Sequence, residues 1–220
     1  MKLVLASGSQ RRRELLTMCG YDYEIIVSNA DETIDESDPE NFVRALSFRK
    51  AKEVFDRLFA AGRRDFAVIG SDTVVAFQKD GETKPVIIGK PKDAKDAVRI
   101  LSMLSGKTHR VFTGVSVIAD IPDENAAAQC SIREKAEIQT ECSITEVTFE
   151  TLSPDEITDY VNSGDPLDKA GSYGIQGPFG MFVREIRGNY FTVIGMPIPV
   201  LYKMLKKIGI LPHGFYERIE

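Results

Sequence analysis

Phe66-Ala67-Val68-Ile69-Gly70-Ser71-Asp72-Thr73-Val74-Val75-Ala76-Phe77 is rich in β-branched and aromatic residues and carries one charge. A run of this kind reads as a strand region. Working outward, its neighbours read as helices. Asp38-Pro39 supplies an N-cap and a first helical residue, opening a helix that Gly62 ends. On the other side, the turn Lys79-Asp80-Gly81-Glu82 precedes a strand at Val86 to Ile88, and a helix follows from Asp93 to Ser105. Farther out, Lys2 to Ala6 reads as a short buried strand and Gln10 to Cys19 as a helix stopped by Gly20. Thr108 to Ala119 and Ala136 to Thr151 read as long strands, and the polar segment Asp120 to Gln129 between them as a mobile hairpin tip. Ser153-Pro154-Asp155-Glu156 is a capping box for a helix that closes at Gly164. The Gly-rich stretch Gly171 to Gly180 leads to a last strand near Met181 to Ile186 and a helix from Pro199 to Ile208. Strand and helix alternate without repeat, low-complexity tract or linker, so the expected fold class is α/β, as one domain over residues 1–220.

The composition narrows the function. With 43% apolar and 28% charged residues in 220, the chain is an ordinary globular one with a substantial core. Its 28 Lys plus Arg against 33 Asp plus Glu leave a net charge of −5, which argues against a general nucleic-acid binder. A polyanionic ligand therefore needs a local basic pocket. Cys19, Cys130 and Cys142 form no C-x-x-C pair, and His109 and His213 are the only histidines, so zinc knuckles and histidine-rich metal sites are excluded. A metal, if used, is a hard cation on carboxylates. No stretch reads as a signal peptide or a membrane span, and a reducing cytoplasm is the expected location.

Several segments carry chemistry. An aspartate at position 72, inside an apolar strand, is costly to bury ionised unless a metal, a cation or a donor meets it; the alternative is a strand-end turn. Leu5-Ala6-Ser7-Gly8-Ser9-Gln10-Arg11-Arg12-Arg13 is a small-residue strand-to-helix turn followed by three arginines. Cations are slightly unfavourable at a helix start, so a bound anion would offset them; the alternative is a solvated basic turn. No G-x-x-x-x-G-K-[ST] loop is present. On the helix opened by Asp38, Lys50 falls in the apolar arc of Val43, Leu46 and Val54, either as a snorkelling boundary lysine or as a partner for Asp72. The acidic run Asp31-Glu32-Thr33-Ile34-Asp35-Glu36 reads as solvated surface, from which one carboxylate can join Asp72 around Mg²⁺. Lys90, in Gly89-Lys90-Pro91-Lys92, precedes a helix and suits a phosphate. In Asp168-Lys169-Ala170-Gly171-Ser172-Tyr173-Gly174-Ile175-Gln176-Gly177, the glycines admit close approach and Gln176 offers an amide for a nucleobase edge. His109 reads as structural.

Taken in order, LASGSQRRRELL, SDTVV, GKPKDA, LSGKTHRVFTGV and DKAGSYGIQG resemble the Maf (septum formation) family of nucleoside triphosphate pyrophosphatases along nearly the whole chain. The resemblance implies a mixed twisted sheet flanked by helices, in two lobes around a central cleft, of the Maf/ITPase-like kind, and a homodimer. It implies Mg²⁺-dependent (or Mn²⁺-dependent) hydrolysis of a nucleoside triphosphate to monophosphate and pyrophosphate, removing non-standard nucleotides. By position, Asp72 matches the catalytic base, and Glu32, Lys50, Lys90 and Lys169 match charged active-site positions. Arg11, Thr73 and Gln176 look like the branch that takes dTTP, UTP and modified pyrimidine nucleotides rather than 7-methyl-GTP. Asp72 and Glu32 are expected to hold the metal, and Ser7, Arg11, Arg12, Lys50 and Lys90 to form a cationic excess around the triphosphate. Gln10 stands where the family usually has Pro, and the segments at Asp120 to Glu137 and Lys79 to Pro85 are longer than usual. The expected partner is a small nucleotide, with no nucleic acid and no membrane. The competing reading is a non-catalytic nucleotide-binding regulator of cell division.

Overall fold

The computed structural model describes residues 1–78, 81, 82, 84–121 and 136–214. The expected turn at Lys79 and the hairpin tip after Ile121 therefore lie partly or wholly outside the described residues. The elements are β1 (Lys2–Leu5), α1 (Gln10–Met18), β2 (Glu24–Ile25), α2 (Pro39–Ala60), β3 (Phe66–Phe77), β4 (Val86–Ile88), α3 (Ala94–Leu104), β5 (Thr108–Asp120), β6 (Ala136–Phe149), α4 (Pro154–Asn162), β7 (Val183–Arg187), α5 (Tyr190–Ile194) and α6 (Ile198–Lys207). Short 3₁₀ turns at Asp165–Asp168, Ala170–Ser172 and Pro178–Phe182 join α4 to β7.

The seven strands form one mixed sheet in the order β2-β1-β3-β5-β6-β7, with β4 beside β3. β1 runs parallel to β2 and β3, and the other pairs are antiparallel. The expected α/β class and mixed sheet are thus observed. β3 lies inside the sheet with both faces covered by helices, which explains why its sequence shows no polar alternation.

Each helix starts where its chemistry dictates. Asp38 accepts from the Asn41 amide ahead of Pro39, and Asp93 accepts from the Asp96 amide. Both hydrogen bonds of the Ser153/Glu156 capping box are present.

Alternate residues of β3 divide the core. Val68, Val74 and Ala76 face α2, packing with Val43, Ala51, Val54 and Phe55. On the other face, Ala67 and Ile69 pack with Leu15, Leu16, Met196, Leu201 and Leu205, whereas Val75 and Phe77 pack with Ile100, Leu101, Leu104, Phe149 and Ile157. These two clusters, under α1/α6 and α3/α4, are the two lobes. α2 lies unusually close to the sheet. A Cβ on Gly70 would stand 2.2 Å from the Ser47 carbonyl oxygen, and one on Gly114 would stand 2.2 Å from that of Val43.

His109 serves the second lobe. It is 2% exposed and packed edge-on against Phe149 and Tyr173, with Nε2 3.0 Å from the Tyr173 hydroxyl. Burial pushes its pKa down to about 3. The unfolded value is about 6.5, so above that pH the residue is neutral in both states and adds no pH dependence. As pH falls below 6.5 the unfolded chain takes up a proton that the folded chain refuses, and stability drops by up to about 1.4 kcal/mol per pH unit. Unfolding free energies measured between pH 6.5 and 4.5 should show this slope in the native protein and lose it in His109→Gln. An unchanged slope in the variant would contradict the assignment. Among the described residues, no helix is long and apolar enough to cross a membrane.

Candidate active site

The site grows from a break in the sheet. Pairing of β3 with β1 ends at Ile69 opposite Leu5, and pairing with β4 begins at Val75 opposite Ile88. Residues 70–74 therefore lack a strand neighbour on that side, while β5 continues unbroken on the other, from Ser116 to Phe112. Both faces of β3 are reachable through this notch. That is how the consecutive residues Asp72 and Thr73, which point to opposite faces, border one cleft of about 1140 Å³.

Asp72 faces α2. Its nearest cross-strand neighbour is Gly114, whose missing side chain lets the helix backbone settle onto the sheet and carry Lys50 to the carboxylate. The Lys50 ammonium lies 2.8 Å from Asp72 Oδ1 and 2.9 Å from Glu32 Oε1, with the Lys50 and Asp72 side chains only 12% and 13% exposed. Glu32 remains 66% exposed. The acidic run and the buried aspartate, 40 positions apart, thus share one cation.

On the opposite face, Arg12 is the organiser. Its Nε donates to the Gly195 carbonyl (2.9 Å), Nη1 to Ser7 Oγ (3.1 Å) and Nη2 to Thr73 Oγ1 (3.4 Å). Burial lowers its pKa from the ordinary arginine value, opposed by the negative charge of Asp72 and in part reinforced by the charge of Arg11. Thr73 Oγ1 also pairs with Thr113 Oγ1 at 3.0 Å, and Ser71 donates to the Gly114 and Gly195 carbonyls. Gly195, with φ of +112°, can hardly be another residue: a Cβ there would lie 3.2 Å from Thr73 Oγ1. Ser7 and the start of α1 border the cleft, and Ser9 places no side-chain cap on the helix.

The third wall is the loop after α4. Tyr160 donates its hydroxyl proton to Asp165 (2.5 Å) and accepts from the Gly174 amide (3.1 Å). Lys169 donates to the Asp165 carbonyl (2.6 Å), to its carboxylate (2.9 Å) and to Asp168 (2.8 Å). Sequence reasoning does not reach Tyr160 or Asp165, because their clamp depends on a loop closure that spacing cannot reveal. The only hint is the Ser-Gly-Asp-Pro turn at 163–166. Gln176 and Lys90 line the cleft, are exposed, and have no hydrogen bond or ion pair among the described residues.

All ten expected site residues, Ser7, Arg11, Arg12, Glu32, Lys50, Asp72, Thr73, Lys90, Lys169 and Gln176, border this one cleft. One expectation differs from what is observed. The lining is not a cationic excess: Arg11, Arg12, Lys50, Lys90 and Lys169 are matched by Glu14, Glu32, Asp72, Asp165 and Asp168. Lys169, moreover, is spent on Asp165 and Asp168, and Arg11 Nη1 lies 3.7 Å from Asp168. The spacing of basic residues along the chain gives no sign of acids brought in from elsewhere.

The cleft also bears on the metal. Asp72 and Glu32 offer hard oxygen donors on the two sides of one ammonium, and no group of three possible ligands exists among the described residues. Such a pair suits a cation that keeps waters and takes its other ligands from phosphate, as Mg²⁺ does.

The sequence pattern of the family described as "Maf-like protein" matches residues 2–208. The chain is 43% identical over 210 residues to a protein of Bacillus thuringiensis subsp. konkukian (strain 97-27) named dTTP/UTP pyrophosphatase, covering 95% of this chain and 96% of that one. A protein of the same name from Agathobacter rectalis is 40% identical over 217 residues, covering 95% and 98%. Among solved structures, the chain is similar to the Staphylococcus aureus Ham1 protein at a TM-score of 0.48 and 14% identity, over 94% of this chain and 99% of that one. With that match from residue 2 to residue 208 and relatives alike over nearly their whole length, the chain belongs to the family of Maf-like proteins.

Proposed function

We propose that the protein is a nucleoside triphosphate pyrophosphatase that cuts dTTP and UTP between the α- and β-phosphates, giving the monophosphate and pyrophosphate. The observation that carries this reading is Asp72, a carboxylate set on a rigid strand at the notch, paired with Lys50 and opening on a cleft of nucleotide size. The names of the relatives point the same way.

In the proposed reaction a water oxygen bonds to the α-phosphorus as the bond from that phosphorus to the bridging oxygen of the β-phosphate breaks. Asp72 Oδ takes the water proton, and the bridging oxygen leaves with pyrophosphate. Lys50 keeps Asp72 oriented and adds positive charge beside the reacting phosphate. Lys90, free of partners among the described residues, and the first-turn amides of α1 face the departing charge. Arg12 holds Ser7 and Thr73 in place rather than reaching outward.

A divalent cation, Mg²⁺ (or Mn²⁺), fits the same scheme. The cleft is charge-balanced, and a triphosphate brings about four negative charges with a second phosphate pKa near 6. Asp72 and Glu32 are the residues that would hold the cation, which when bound neutralises phosphate charge and acidifies water. A homodimer in a reducing cytoplasm belongs to the same proposal.

Release of pyrophosphate from a panel of triphosphates, with Mg²⁺ and with chelator, beside a polynucleotide-binding control, tests the reading. Release from dTTP and UTP is expected; nucleotide binding without release would favour the regulator instead. Gln176, exposed on the glycine-rich loop and lining the cleft, carries an amide able to pair with both the O4 acceptor and the N3–H donor of uracil or thymine. Gln176→Ala is expected to lower the kcat/KM preference for UTP over 7-methyl-GTP by roughly tenfold. An unchanged ratio removes Gln176 from base reading.

A further inference from the structure

The segment Val27 to Thr33 carries Glu32 to Lys50, yet it belongs to no helix or strand. The backbone bond from the Ile26 amide to the Leu5 carbonyl is its last link to the sheet. Beyond that point it is held by three side chains of α2. Arg57 Nη2 donates to the Val27 carbonyl (3.1 Å), the Asn29 amide donates to Glu53 Oε2 (3.0 Å), and Arg49 Nη1 donates to the carbonyls of both Asp31 (2.8 Å) and Thr33 (2.9 Å). The helix positions are spaced by four and the segment positions by two, in opposite directions.

That pairing has a geometric basis. Four helical residues advance about 6 Å, and two extended residues advance about 6.6 Å. One side-chain rung per helical turn can therefore grip every second residue of a chain laid antiparallel along α2. Two of the rungs are themselves joined, since Arg57 Nε lies 3.4 Å from Glu53 Oε1. Arg49, the last rung, clasps the carbonyls of the two residues that flank Glu32, Asp31 and Thr33, and is the residue next to Lys50. None of the three rungs lines the cleft.

Building on the proposed role of the Asp72–Lys50–Glu32 cluster, we infer that Arg49, Glu53 and Arg57 form a ladder that straps residues 27–33 to α2, and that Arg49 is a positioning residue which presents Glu32 to the reaction. The ladder grips main-chain atoms except at its own side chains, so it fixes where Glu32 stands while leaving its carboxylate free to exchange partners.

The test is a double-mutant cycle with Glu32→Gln, together with amide hydrogen exchange. Arg49→Ala is expected to lower kcat/KM for dTTP about tenfold and to speed exchange of the Asn29–Thr33 amides at least tenfold, with exchange in the centre of α2 unchanged. Arg49→Lys, whose ammonium can still bridge two carbonyls, should recover most of both losses. In a Glu32→Gln background Arg49→Ala should cost less than twofold, because it acts through Glu32. Equal losses in both backgrounds, or exchange unaltered by Arg49→Ala, would overturn the inference. If the native protein releases no pyrophosphate from any triphosphate, the proposed function fails by itself, and the exchange measurement still decides whether the ladder holds the strap.

Discussion

Asp72→Asn is expected to lower pyrophosphate release by about 10³-fold while nucleotide binding persists. The substitution keeps shape and volume, and the amide oxygen can still accept from Lys50, which also retains Glu32 as a partner. What disappears is the ability to take a proton, a contribution of 10²–10⁴ in general-base catalysis. Binding of the nucleotide in chelator should hold steady or tighten, since one negative charge leaves a lining already rich in acids. Single-turnover release and calorimetric binding of the same nucleotide separate the two effects. A variant that turns over at the native rate would remove Asp72 from the chemistry.

Gly70→Ala should damage both stability and turnover, although the residue touches no ligand. The added methyl would meet the Ser47 carbonyl oxygen at 2.2 Å, the Ala51 amide nitrogen at 2.7 Å and the Ala51 Cβ at 3.0 Å. Those are mostly backbone atoms, so no rotamer change relieves the clash, and α2 must move away from the sheet. Overpacking of this kind costs about 3 kcal/mol, or a fall in Tm of roughly 6–12 °C for a chain of this size. Lys50 and the ladder residues ride on the same helix, and a displacement near 1 Å at a reacting group can cost about 10²-fold in rate. Turnover should be measured well below the new Tm, so that loss of rate is separated from loss of fold. A variant with native Tm would show that α2 is not seated on that glycine. Gly114→Ala, whose methyl would meet the Val43 carbonyl oxygen at 2.2 Å, tests the same seat from the neighbouring strand.

Much of this is legible in the sequence because it is local. The bounds of β3 and β4, the Asp38 cap, the helix start near Asp93 and the Ser153 capping box follow from patterns a few residues long. Lys50 is legible too, since a charge at an apolar helix position demands a partner. Three features are hidden. β2 has two residues and α5 has five, too short for any period to declare itself. The acids that balance the cleft come from α1, the 27–33 strap, β3 and the loop after α4, so only the closed chain shows that they meet. The ladder on α2 looks like a plain solvated face, because Arg49, Glu53 and Arg57 have the spacing of ordinary surface ion pairs. Its meaning lies in what is laid across it.

The notch in β3 has a further consequence, for association rather than chemistry. Five residues of strand without a neighbour on one side would be, on an open surface, a template for another chain's backbone and a seed for aggregation. Here the stretch is short, almost wholly buried, recessed between the ends of β1 and β4, and flanked by Lys50 and Arg12. A small molecule can reach that edge, but an incoming polypeptide cannot lie along it. The fold thus leaves five residues of its most reactive strand open on one side without leaving them sticky.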